Sequence, residues 1–287
     1  MGDENKMVRW KRNLIILSIG QFFVMGAMSS ITPFLALYIQ ELGVTDPEEV
    51  SLWSGLIFAI NFLTAFIFSP IWGKVADKYG RKLMVIRSGI GMAIIITLMG
   101  FVTNHIQLFI LRLLNGVISG FIPATITLAS TNTPKAKVGY ALGVLQAGAV
   151  AGSIFGPVLG GIMADSMGFS MIFLCTGVFI FLATLLIIIF VDEKFERQVD
   201  EKKTSFVEDF KVIAARKPIL SIFAVATMIQ LALLGTLPLL SLFIQELKPG
   251  AENLAFLAGL TMAAMGFANM LASPQLGKLG DKYGAQH

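Results

Sequence analysis

Cysteine is all but missing: Cys175 is the single one among 287 residues. One thiol makes no intramolecular disulfide and, without ligand-type neighbours, no metal site. Histidine is nearly as scarce, and His105 and His287 stand in no metal-ligand spacing. Charge is thin too, at 14% of residues, where a soluble domain carries about a quarter. No HExxH, P-loop or nucleophile elbow occurs, so no catalytic constellation is present, no metal or cofactor is expected and the chain does not read as an enzyme. The basic residues sit in short clusters between apolar runs, not on one solvated face, which excludes a nucleic-acid partner. Acidic residues are absent from the middle of every long apolar run; Glu41 and Asp165 stand only at run ends.

What is abundant is apolar surface. Hydrophobic residues make up 55% of the chain, and the mean hydropathy is +0.77. Crossing a hydrocarbon core takes about 20 apolar residues in a helix. Eight segments qualify, near 14–39, 53–73, 83–103, 106–130, 138–163, 169–191, 219–244 and 254–276. Backbone groups in lipid must be satisfied within the segment, so these are helices. The expected fold class is therefore an all-α membrane protein. Pro33, Pro123, Pro157 and Pro238 fall inside spans, where membrane helices tolerate them. The first span follows a basic start, "KMVRWKRN". It is too long for a signal-peptide core and has no A-x-A site after it, so it reads as retained.

Lys and Arg set the direction. The N-terminal tail, the 74–87 region, the loop holding Lys135 and Lys137, the segment 192–218 and the last stretch carry every basic residue except Arg112 and Lys248. These alternate loops share one side, expected to be the cytoplasm, which places the N-terminus inside and the protein in the inner or plasma membrane. Segment 192–218 reads as a linker carrying both signs of charge. Ser205 and Glu208 have capping-box spacing, and Phe206, Phe210 and Ile213 share one helical face. A short interfacial helix is expected there, with a solvated linker as the alternative.

The chain repeats itself. "SPIWGKVADKYGRK" at 69–82 returns as "SPQLGKLGDKYGAQ" at 273–286, and "PFLALYIQEL" at 33–42 returns as "PLLSLFIQEL" at 238–247. Spans seven and eight thus repeat spans one and two, as in a parallel duplication of a six-helix unit. The expected division is a six-helix bundle at 1–191, the linker at 192–218 and the start of a second bundle at 219–287. A full duplication would hold about twelve spans. The eight present suggest a fragment of a longer protein.

Three motifs carry a family resemblance. Gly73, Asp77, Gly80, Arg81 and Lys82 stand between spans two and three; Arg112 lies in "RLLNGVISG"; and Gly152, Gly156, Pro157, Gly160 and Gly161 lie in "GSIFGPVLGG". Together they resemble the major facilitator superfamily, and the last resembles the motif of its drug:proton antiporter branch. The resemblance covers the whole chain. It implies a proton-coupled transporter that exports small amphipathic compounds or drugs by alternating access. A sugar or metabolite carrier and a non-transporting fragment are the alternatives. The partners it implies are that small substrate, protons and the lipid bilayer.

The resemblance also implies roles. Gly73, Asp77, Gly80, Arg81 and Lys82 would latch the cytoplasmic side, with Asp77 opening span three as a carboxylate at a helix N-terminus. The alternative is a basic anchor that only sets topology. The second copy keeps Gly277, Asp281 and Gly284 but has Ala285 and Gln286 where Arg81 and Lys82 stand, so its latch would be weaker. Arg112 would couple protons or brace the core, unless it snorkels to the interface. The span-five glycines form a flat strip for close helix packing, either sliding during the cycle or static. Met25, Asn61, Asn115, Gln146 and Gln230 are candidates for a substrate cavity; the polar ones also suit interhelical hydrogen bonds.

Overall fold

The computed structural model describes residues 2–193, 217–250 and 253–283, with side-chain surroundings for 9–193, 220–250 and 253–272. Among the described residues eight helices are long and apolar enough to cross a membrane. They are span 1 (Arg9–Glu41), span 2 (Pro47–Tyr79), span 3 (Arg81–Met99), span 4 (His105–Asn132), span 5 (Lys135–Met167), span 6 (Phe169–Phe190), span 7 (Leu220–Leu247) and span 8 (Leu254–Ala272). Their outward faces are greasy, with Phe66, Phe101 and Ile189 exposed, as suits side chains that meet lipid. The helix at 205–213 expected from the sequence lies outside the described residues.

Local chemistry explains where the helices start. Pro47 occupies the first turn of span 2, where its missing N–H is no loss, and the Asp46 carboxylate accepts from Glu49 N at 3.0 Å. At span 4, Asn104 accepts from Gln107 N at 2.9 Å, while Gln107 Oε1 accepts from Thr103 N at 2.9 Å. Each side chain satisfies a backbone donor the helix leaves open.

Three spans are interrupted. Span 1 passes through a 3-10 turn at Thr32–Phe34 and span 7 through one at Leu237–Leu239, with Pro33 and Pro238 at equivalent places in the repeat. Span 4 is two helices, His105–Ile118 and Phe121–Asn132. Gly120 between them has φ +127°, a conformation open to glycine and strained for other residues.

Small residues set the packing. Span 1 lies most extensively on span 5, span 8 on span 5, span 3 on span 6, and span 2 on the first segment of span 4. Gly89 of span 3 backs onto Thr184 of span 6, and Gly177 of span 6 backs onto Thr97. Such contacts matter in lipid, where van der Waals fit and not water drives helices together. Tyr38 Oη donates to Met99 O at 2.8 Å, fastening span 1 to the far end of span 3.

The basic end of the bundle is knotted by Asp192 and Glu193, which follow span 6. Arg12 Nη2 pairs with Asp192 Oδ2 at 2.9 Å, and Asn13 and Asn132 both donate to the Asp192 carbonyl. Glu193 accepts from Arg81 N and Lys82 N, each at 2.9 Å. These two residues, which the sequence reads as the start of the linker, thus bond to spans 1, 3 and 4.

Candidate functional site

The span-five glycines form a tight junction of backbone against backbone. A Cβ on Gly152 would collide with the Phe22 carbonyl, and one on Gly156 with the Gly26 carbonyl and the Ser29 hydroxyl. On Gly160 it would lie 2.7 Å from Ser30 O. All three face span 1. Gly161 turns instead to span 8, where a Cβ would stand 2.7 Å from Ala255 O, and a Cβ on Gly259 would collide with the Pro157 carbonyl. Gly148 extends the strip, its Cβ position 2.7 Å from Ser18 O. Span 5 is thus the helix through which span 1 and span 8 are joined. Its glycines serve two partners, and the four-residue spacing announces only one of them.

The end opposite the basic one is closed by contacts between the two repeats. Gln40 Nε2 donates to Gln245 Oε1 at 3.4 Å. The two glutamines occupy equivalent positions, 205 residues apart, so the bond lies on the relation that maps one repeat onto the other. Asp165 Oδ2 accepts from Phe256 N at 2.9 Å. A carboxylate in the first turn of span 8 meets an open N–H and the positive end of that helix. Asp165, noted in the sequence only as a run-end residue, here docks span 5 onto span 8.

At the basic end a cavity of about 390 Å³ opens among spans 1 to 4, within the size range of ligand pockets. Asn61, Phe62, Trp72, Gly73, Asp77, Arg81, Arg87 and Phe121 are among its walls. Asp77 does not open span 3: helix continues through Tyr79, so Asp77 sits in the last turns of span 2. The carboxylate at the N-terminus of span 3 is Glu193. Among the described residues Asp77 makes no hydrogen bond or ion pair. Gly80 ends span 2 with φ +97°, whereas a side chain on Gly73 would meet nothing within 4 Å. Lys82 Nζ donates to Ile188 O at 3.0 Å, a cation at the C-terminal end of span 6. Gly277 and Asp281 continue the helix Leu254–Tyr283; Gly284 lies outside the described residues.

Arg112 is buried, 8% exposed, and its Nε has no hydrogen-bond partner. The residue as a whole lies inside the bundle. Three residues further along span 4, Asn115 Nδ2 donates to Asn61 Oδ1 at 2.9 Å, tying span 4 to span 2. Asn61 therefore does both things its residue type suggests, lining the cavity and bonding across helices. Met25, Asn115, Gln146 and Gln230 are not among the cavity walls.

The sequence alone counts Arg87 with the basic cluster that begins at Lys74. Span 3 begins at Arg81, so Arg87 lies six residues inside it. Its guanidinium covers the Trp72 ring at 3.5 Å from the centroid. The available signal was spacing: a cation that deep in a span is no longer a loop residue. Among the described residues no group of three or more His, Cys, Asp or Glu could hold a metal ion.

A profile of the Major Facilitator Superfamily matches residues 17–287, and the chain belongs to that family. It is 41% identical to "Multidrug resistance protein MdtG" of Enterobacter lignolyticus (strain SCF1) over 286 residues, which are 100% of this chain and 68% of the relative. It is 40% identical to the protein of that name from Dickeya zeae (strain Ech586), covering 99% of this chain and 70% of the relative. Among solved structures it resembles a bacterial homolog of the human lysosomal transporter Spinster, inward-facing and unoccupied. The TM-score there is 0.78 at 16% identity, over 97% of this chain and 64% of that one. The nucleoside transporter NupG gives a TM-score of 0.73 at 16% identity, over 94% of this chain and 69% of that one. At such identities these structures speak for the fold alone: a multi-pass membrane protein of the major facilitator architecture.

Proposed function

We propose that this protein is a proton-driven secondary transporter that exports small amphipathic compounds from the cell by alternating access. The basic end faces the cytoplasm, as the distribution of Lys and Arg requires, and spans 1 to 6 form one half while spans 7 and 8 belong to the other. The observation that carries the reading is the contact of span 5 with span 8, where Gly161 meets the Ala255 carbonyl and Gly259 the Pro157 carbonyl with backbone against backbone. Such a contact lets one half rock on the other without unlocking interdigitated side chains. The similarity to proteins named for multidrug resistance supports the substrate class. Closure by Gln40, Gln245 and Asp165 at the far end, with a cavity at the basic end, suits a state that loads from the cytoplasm. No bond of the substrate is made or broken, so the residues serve as hinge, gate and charge.

The test is accumulation of a fluorescent amphipathic dye in energised bacteria expressing the complete reading frame. Accumulation should fall below that of empty-vector cells, and an uncoupler should abolish the difference. Accumulation equal to the control before and after uncoupling would reject the reading.

A further inference from the structure

Span 4 is broken by its own sequence and mended by its neighbours. A continuous helix would require Ser119 O to accept from the N–H of residue 123, but that residue is Pro123 and has none. The chain leaves the helix at Ser119, with ψ 171°, and re-enters after Gly120. Carbonyls freed in a span must find partners from other helices. Trp72 Nε1 of span 2 donates to Val117 O at 2.6 Å, and Arg87 Nη2 of span 3 donates to Ser119 O at 3.2 Å. The Arg87 guanidinium also stacks on the Trp72 ring, a cation–π contact strengthened where water is excluded. Arg87 Nε and Nη1 are buried without hydrogen bonds.

The two segments of span 4 share span 3 as a neighbour, but beyond it their side-chain ties run to different helices. The first is tied to span 2: Asn115 bonds Asn61, and Thr64 Oγ1 donates to Leu113 O at 3.1 Å. The second is tied to span 1: Thr125 Oγ1 donates to Gln21 Oε1 at 2.9 Å, and Phe121 packs on Gly20. Arg112 rides on the first segment.

We infer that Trp72 and Arg87 are positioning residues that hold span 4 open at Ser119–Gly120, forming the joint between the segment bearing Arg112 and the segment that follows span 1. The inference of a moving joint rests on the transport reading. The brace itself does not, so the test reads both. Arg87→Ala removes the donor, while Arg87→Ala combined with Pro123→Ala returns an N–H to Ser119 O and lets the helix run on. Hydrogen exchange of the 117–124 amides in the purified protein reads the brace; uncoupler-sensitive dye export reads the joint.

Arg87→Ala should raise exchange across 117–124 at least tenfold and leave 106–114 unchanged. The double variant should exchange more slowly than wild type there and regain expression level. If Arg87→Ala alone does not fold, the double variant and Trp72→Phe, which keeps the ring and loses the donor, still read the brace. Export at saturating dye should fall at least tenfold in both Arg87 variants, with the half-saturating concentration changed less than threefold. Unchanged exchange in Arg87→Ala and Trp72→Phe would overturn the brace. Wild-type export from the double variant would overturn the joint. If wild-type protein exports no dye while the exchange pattern holds, the transport reading fails and the brace stands.

Discussion

Gly156→Leu is expected to abolish export and to destabilise the protein by about 3 kcal/mol or more. A Cβ at this site already collides with the Gly26 carbonyl and the Ser29 hydroxyl. The first is backbone and cannot rotate away, so the helices themselves must part. Parting spans 1 and 5 loosens the most extensive helix contact in the bundle. The effect should be graded, with Gly156→Ala intermediate. Gly143→Ala on the same helix is the control, because a Cβ there meets nothing within 4 Å. Melting in detergent and dye export should fall in the order control, alanine, leucine. Equal melting of Gly143→Ala and Gly156→Leu would show that the strip is not packed as described.

Arg112→Leu should separate stability from function. A charge at the centre of a membrane helix costs about 2.5–3.5 kcal/mol on insertion scales. Among the described residues the Arg112 guanidinium makes no hydrogen bond or ion pair that would offset this, and it is only 8% exposed. Removing it should therefore leave membrane insertion and melting unchanged or improved. Uncoupler-sensitive export should fall roughly tenfold or more, the equivalent of about 1.4 kcal/mol in the rate-limiting step. Membrane level by immunoblot, melting temperature and export rate, measured on one preparation, decide the matter. A parallel loss of level and export would mean that Arg112 braces the fold.

How much of this is legible in the sequence depends on range. The eight spans and the repeat can be read because apolar length and matched Gly and Pro positions are local properties. The sequence reads Pro33 and Pro238 only as prolines tolerated within spans; that they sit in paired 3-10 turns follows from the structure. The break in span 4 is different. Pro123 alone is tolerated in membrane helices, and what makes it a break is Trp72 and Arg87, brought in from two other spans. Asp77 and Glu193 show the same limit. A carboxylate beside the start of span 3 was expected, but the residue 116 positions further on supplies it, since helix carries Asp77 away into span 2. The glycine spacing on span 5 announces a flat strip; that Gly161 faces span 8 while its neighbour Gly160 faces span 1 follows only from the packing.

If alternating access runs as proposed, the two repeats that meet at the end opposite the basic one part during each cycle. Gln40→Cys and Gln245→Cys, introduced together in a Cys175→Ser background, place two thiols at that contact. The wild-type side chains lie 3.4 Å apart there, and Cys175 is the one cysteine of these 287 residues. A short, reducible bis-methanethiosulfonate linker should join the pair, stop uncoupler-sensitive dye export, and release it again when reduced, with either single cysteine unaffected. Export that continues at the uncrosslinked rate in fully linked protein would contradict alternating access through this contact.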